Sequence, residues 1–140
     1  MDYSRRELCL LLPALVAARA DAAGDAVLPS KVYNFESLPA KVEEGNTFRP
    51  ILEGVTHEEY HVELHETDLA PGTMPHPAHH HAHEEIFLIR EGTLAVTIEG
   101  HTSNLGPGSV AYIASNQEHG IRNVGSTHAQ YFVFALGAQS

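Results

Sequence analysis

The chain has 140 residues, 43% of them hydrophobic and 19% charged, which is the composition of a globule with one core. At that length folding buries roughly two-thirds of the unfolded surface, so two separate domains are not expected. Eight Lys and Arg against 18 Asp and Glu give a formal charge of -10, which repels phosphate backbones and anionic headgroups and argues against a nucleic-acid partner.

Residues 1–23 differ from the rest. Ser4-Arg5-Arg6 precedes the apolar run Leu8 to Ala18, which is too short to span a bilayer and carries its positive charge at the N-terminal end. That layout predicts a cleavable signal segment over 1–23, with Ala18-Arg19-Ala20 and Ala20-Asp21-Ala22 as alternative cut sites. The paired arginines resemble a twin-arginine signal, which implies an exported, periplasmic or secreted protein with no stable membrane anchor once the segment is removed. Cys9, the single cysteine, lies inside that run, so the mature domain, 24–140, has neither a thiol nucleophile nor a disulfide.

From Lys31 onward the chain alternates in short segments broken by Gly, Pro and Asn, and no window sustains a helical period. Strands are predicted at 32–35, 47–55, 60–69, 85–90, 93–99, 109–113, 120–124 and 130–136, an all-β set that suits a sandwich or closed barrel. Pro71-Gly72, Glu91-Gly92, Glu99-Gly100, Pro107-Gly108 and Gly125-Ser126 supply the turns between them. Ile86 to Ile89 are four consecutive apolar residues, so both faces of that strand should be covered, by a second sheet or a partner subunit. His57, His61 and His65 recur every fourth residue, yet Tyr60, Val62 and Leu64 alternate with the last two as in a strand. The strand reading puts His61, Glu63 and His65 on one face, and the sequence leaves open which face looks inward.

Histidine is the compositional outlier, at 11 residues, and five of them fall between 76 and 83. Alternate residues of an extended chain project to one side, so His79 and His81 can converge on one ion while His80 points away. Glu85 opens the next regular strand and can offer a carboxylate to the same point, and His119 can add a fourth ligand from a neighbouring strand. Three imidazoles and one carboxylate leave two positions of an octahedral ion open for substrate, water or dioxygen. His80 and His83 fall outside the ligand positions and are expected at the surface or behind the ligands, and His76 or His83 can orient a ligating ring. Glu118 and Tyr112 are the candidate catalytic acids or bases, with Gln117, His65 and Arg90 as further polar residues that can reach a substrate. Asn123 reads as a hydrogen-bonder that closes a turn.

These spacings resemble the cupin superfamily. Its first motif, Gly, His-x-His, three residues, Glu, six residues and Gly, is matched by Gly72, His79, His81, Glu85 and Gly92; its second is matched by Gly108, His119 and Asn123. Two departures stand out: one extra residue separates Gly72 from His79, and Ala114-Ser115-Asn116 stands where the second motif usually has a proline. The resemblance implies a double-stranded β-helix, or jelly-roll barrel, holding one divalent transition metal (Mn, Fe, Ni, Co or Zn) by His79, His81, Glu85 and His119. It also implies a homodimer that exchanges or pairs outer strands, and a floor of the pocket made by Phe87 and Ile89. The function expected is that of an exported metal-dependent enzyme of dioxygenase, isomerase or decarboxylase type acting on a small oxygen-rich molecule. A non-catalytic sugar- or metabolite-binding module and an envelope metal-binding protein remain alternatives, because the fold does not choose among them.

Overall fold

A computed structural model describes residues 26–137; the expected signal segment, with its arginines and Cys9, lies outside the described residues. Among the described residues nine strands follow one another: β1 (Lys41–Glu43), β2 (Asn46–Val55), β3 (His61–Leu69), β4 (Glu84–Glu91), β5 (Leu94–Ile98), β6 (His101–Leu105), β7 (Val110–Ile113), β8 (His119–Asn123) and β9 (Ala129–Leu136). One sheet has the order β1-β2-β3-β9-β4-β7 and the other β6-β5-β8, with every paired strand antiparallel. Pairing of β9 between β3 and β4, and of β8 beside β5, joins strands far apart in the chain into a jelly-roll barrel. No helix among the described residues is long and apolar enough to cross a membrane.

Alternation along β9 fixes the inside of the barrel. Ala129, Tyr131, Val133 and Ala135 are buried, and their registered partners Leu69, Thr67, His65 and Glu63 on β3 and Ile89, Phe87 and Glu85 on β4 share that side. Leu69, Phe87, Ile89, Leu94, Val96, Ile113, Ile121, Tyr131 and Val133 pack into one contiguous core between the two sheets.

The predicted turns shape the barrel's ends. Glu99 and Gly100 both take positive φ, as a two-residue hairpin between β5 and β6 requires. Gly92 sits at φ +78°, and a Cβ placed there would lie 2.6 Å from the Ala129 Cβ, so the site demands glycine on two counts.

Two expectations are corrected. Val32 to Phe35 form no strand; the chain instead enters a single 3-10 turn, Phe35–Ser37, whose first backbone amide at Glu36 donates to the Asn34 side chain. Strands β1 and β6 were not anticipated, because Lys-Val-Glu and His-Thr-Ser-Asn are edge segments that bury almost nothing and so carry no apolar alternation. In β4 the second sheet covers the inner residues Phe87 and Ile89, and Leu88 on the outer face is 36% exposed in the single chain, the side for which the expectation offered a partner subunit.

Candidate metal centre

The ligand residues come from two stretches that the fold ties together before any side chain is considered. His79 and His119 form an isolated antiparallel bridge, His79 N donating to His119 O at 3.0 Å and His119 N donating to His79 O at 2.8 Å. Asn116 N donates to His81 O at 2.8 Å, so the extended segment before β4 is held along the approach to β8. Register then aligns Glu85 with Ile113 on one side and Ala135 on the other, inside the barrel.

Into this frame the sequence places four converging donors. The ligating atoms of His79, His81 and His119 lie within 4.8 Å of one another. Glu85 reaches between them, one carboxylate oxygen 3.5 Å from His81 Nε2 and the other 3.0 Å from His119 Nε2. Donors at about 2.1 Å from a shared ion stand ~3 Å apart when adjacent, so the cluster needs little rearrangement to close on one.

Hydrogen bonding selects the tautomer such an ion requires. His81 Nδ1 lies 2.9 Å from His83 O and His119 Nδ1 lies 2.9 Å from Gln117 O; a carbonyl only accepts, so each Nδ1 carries the proton and each Nε2 presents a lone pair. Both Nε2 atoms are buried and make no hydrogen bond of acceptable geometry, as does Nδ1 of His79. Three orphaned imidazole nitrogens around one carboxylate are costly in an apolar barrel unless something binds them. The donor set of nitrogen and oxygen atoms fits a divalent transition metal and does not choose among Mn, Fe, Co, Ni and Zn.

The charges pair Glu85 with His119: burial pushes the His119 imidazole down, but the Glu85 carboxylate and the Gln117 carbonyl outweigh burial and raise it above the usual imidazole range, so an ion at Nε2 takes the place of a proton. Burial pushes the Glu85 carboxyl up, but His119, His81 and His83 around it outweigh burial and hold it below the usual carboxylate range. Burial and the neighbouring rings of His76, His119 and His81 hold His79 below the usual imidazole range, which keeps it neutral and available as a ligand.

His83 belongs to the cluster as well. Its ring stacks on that of His81 with centroids 3.5 Å apart and planes 7° from parallel, its Nε2 lies 3.5 Å from Glu85, and its buried Nδ1 has no partner. The sequence carried a signal for this, since His79, His81, His83 and Glu85 all share one parity along the segment. His80, of opposite parity, is exposed.

A cavity of about 190 Å³ opens beside Glu85 and His119. Phe48, Phe87, Ile121 and Val133 give it apolar walls, and His65, Thr67, His76 and Tyr131 add polar groups. Phe87 therefore forms part of the expected floor, whereas Ile89 is buried in the core and does not line the cavity. The inward face of β3 is the one bearing His61, Glu63 and His65, which resolves the alternative that the alternation left open.

The two candidate catalytic residues stand elsewhere. Tyr112 is 54% exposed on the outer face of β7, opposite Ile86, and Glu118 is exposed at the barrel's end, where its backbone amide donates to the Glu99 carboxylate at 2.6 Å. Arg90 lies over the Phe35 ring outside the barrel, and Gln117 serves the site through its carbonyl. Asn123 is fully buried: its side-chain amide donates to Leu69 O and Thr127 O, both at 2.8 Å, and its oxygen accepts from Gly125 N at 2.9 Å, so it closes the loops behind the site.

Comparison with known proteins adds family and fold. A family model described as a Cupin domain matches residues 65–135, which span β3 to β9 and include all four converging donors. No curated protein matches the chain in sequence. Among solved structures, KdgF from Halomonas sp. superimposes with a TM-score of 0.65 at 16% identity, over 76% of this chain and 94% of that one. The polyketide cyclase RemF from Streptomyces resistomycificus gives 0.63 at 19% identity, over 79% and 82%. A predicted oxalate decarboxylase from Thermotoga maritima gives 0.63 at 18% identity, over 77% and 100%. At such identities these likenesses speak for the fold alone.

Proposed function

The chain belongs to the cupin superfamily, and on that premise we propose that it is an exported metal-dependent enzyme acting on a compact, oxygen-rich small molecule. The observation that carries the reading is the pair of buried, unpartnered Nε2 atoms of His81 and His119, each fixed in its lone-pair tautomer by a backbone carbonyl. His79, His81, Glu85 and His119 would hold one divalent ion, which when bound supplies Lewis-acid stabilisation of anionic oxygen on the substrate. The protein's own contribution is an apolar wall of Phe48, Phe87, Ile121 and Val133, which lowers the polarity around the groups that face it.

Size narrows the substrate. The cavity of about 190 Å³ is small, and it adjoins a second cleft that shares Phe48, Thr67, Pro75 and His76, which suits a compact molecule entering from that side. The test is incubation of metal-reconstituted protein with small hydroxy acids, keto acids and dicarboxylates, following product by NMR and ligand binding by thermal shift. Turnover of any of them supports the enzyme; stabilisation without product favours the binding module instead. The inclusion of His83 in the cluster favours the metal-capture alternative in one respect, and more than one ion per chain would decide for it.

Export and self-association complete the proposal. The arginine pair and apolar run of residues 1–23 support export, and replacing Arg5-Arg6 with Lys-Lys should abolish it in a reporter fusion. A homodimer is supported by the outer face of β4 and β7, where Leu88, Val110 and Tyr112 lie next to one another and remain 36%, 57% and 54% exposed.

A further inference from the structure

Directly inside the barrel, β3 carries a second ionisable pair that the metal centre does not use. Glu63 and His65 are two residues apart and both face inward, so strand alternation sets them side by side. His65 Nδ1 lies 2.6 Å from Glu63 Oε1, and the His65 ring rests against Phe48 with centroids 4.7 Å apart. Register places Glu63 level with Glu85 and His65 level with Phe87, each pair separated by one strand, β9. His65 therefore lines the same 190 Å³ cavity as Glu85, two strands away in its own sheet, and His119, on the facing sheet.

Resting on the reading above, we infer that His65 is the base that accepts a proton from the substrate, that Glu63 positions it, and that the substrate is a compact carbon acid. By carbon acid we mean an α-hydroxy ketone or 2-keto acid with a C–H next to its carbonyl. The carboxylate claims the Nδ1 proton, which leaves Nε2 as the lone-pair nitrogen for the cavity and stabilises the imidazolium that forms. No other ionisable group lining the cavity is as well suited. Thr67 is a hydroxyl, burial pushes the Tyr131 phenol far up, Glu85 and His119 are spoken for by the metal cluster, and His76 is an exposed ring with no carboxylate partner.

The step balances without an oxidant or reductant. The C–H bond beside the carbonyl breaks, its electron pair stays on the substrate as an enolate, and the proton passes to His65 Nε2. Return of a solvent-exchanged proton from the imidazolium to the same carbon gives exchange; for an α-hydroxy ketone, return to the former carbonyl carbon, with the hydroxyl proton passing to the enolate oxygen, gives isomerisation. Glu63 stays ionised throughout and acts only through His65.

The test uses the full chain reconstituted with zinc, and pyruvate and dihydroxyacetone in D₂O as probes, with loss of their C–H signals followed by proton NMR. His65→Gln should slow exchange by about 10²- to 10⁴-fold with metal content and melting temperature unchanged. Glu63→Gln should slow it less and move the acidic limb of the pH–rate profile, where the base must shed its proton, to lower pH, while long-range ¹H–¹⁵N NMR should show His65 moving from the Nδ1-protonated tautomer to a mixture. Equal exchange by His65→Gln protein that retains its metal, an Nε2-protonated His65 in the wild type, or a loaded wild type that exchanges neither probe would each overturn the inference. Failure of the wild type to hold metal sinks the proposed function separately, and the His65 tautomer remains readable in that protein.

Discussion

His79 and His119 stand forty positions apart in the chain yet exchange both backbone hydrogen bonds, at 3.0 and 2.8 Å. This bridge aligns the two ligand-bearing segments by main chain alone, so the imidazoles meet without either side chain having to hold the other. An enzyme that must present its donors in one geometry gains from such a frame, because side-chain entropy is the only freedom left to lose on binding. Removing one imidazole should therefore cost the ion and leave the barrel standing.

Asn123 gives a structural counterpart to that claim. With no exposure and three hydrogen bonds, its replacement by Ala leaves two carbonyls and one amide short of partners. Asn123→Ala should lose about 2–4 kcal/mol in urea unfolding, whereas Glu118→Ala, at an exposed site, should change stability by less than about 0.5 kcal/mol.

Gly92 makes a sharper prediction from the backbone. Any side chain there meets both an unfavourable φ of +78° and the Ala129 Cβ at 2.6 Å. Gly92→Ala should destabilise the fold by roughly 2–4 kcal/mol, read as a lowered melting temperature. Gly100→Ala, at φ +79° but with open space around it, should cost only the backbone part, about 1 kcal/mol.

Glu66 supplies a pH prediction outside the metal cluster. It is 1% exposed on β3, with Arg49 Nε 3.5 Å from its carboxylate. Burial outweighs the Arg49 attraction and raises its pKa above the ordinary value. A carboxyl raised on folding contributes stability that is full below its unfolded pKa and lost as pH rises through the folded one. Glu66→Gln does not titrate, so its melting temperature should gain on the wild type as pH climbs from 4 to 7. A difference that stays flat or narrows over that interval contradicts the raised carboxyl.

The outer face predicts the oligomeric state. Light scattering should report a dimer for the wild type, and Val110→Lys, which puts a charge in the exposed apolar patch, should give a monomer with an unchanged far-ultraviolet spectrum. A monomeric wild type at micromolar concentration contradicts the pairing.

Much of this architecture is legible in the chain because buried strands must alternate and hairpins must turn. Ala129 to Leu136 bury every second residue, and Glu91-Gly92, Glu99-Gly100 and Pro107-Gly108 all turn through positive-φ glycines. Alternation fails where nothing is buried, so Lys41–Glu43 and His101–Leu105 left no trace, and Val32 to Phe35 alternated without a sheet edge to join. The four converging donors were legible because their spacing is local except for His119. His83 is expected at the surface or behind the ligands despite its parity, since the fixed ligand positions of the motif are already filled by others. The Glu63–His65 pair could not be assigned because the inward face of β3 depends on its register with β9, some seventy residues later.

The measurement that bears most directly on the account is metal content by plasma mass spectrometry on untagged protein, for the wild type and for His119→Ala. About one transition-metal ion per wild-type chain, with less than ~0.1 in a variant that keeps its β spectrum, is the predicted result, since the ion depends on the lost Nε2 and the barrel does not. A wild type that takes up no ion when offered manganese, iron, cobalt, nickel or zinc, or a variant that retains a full equivalent, contradicts it.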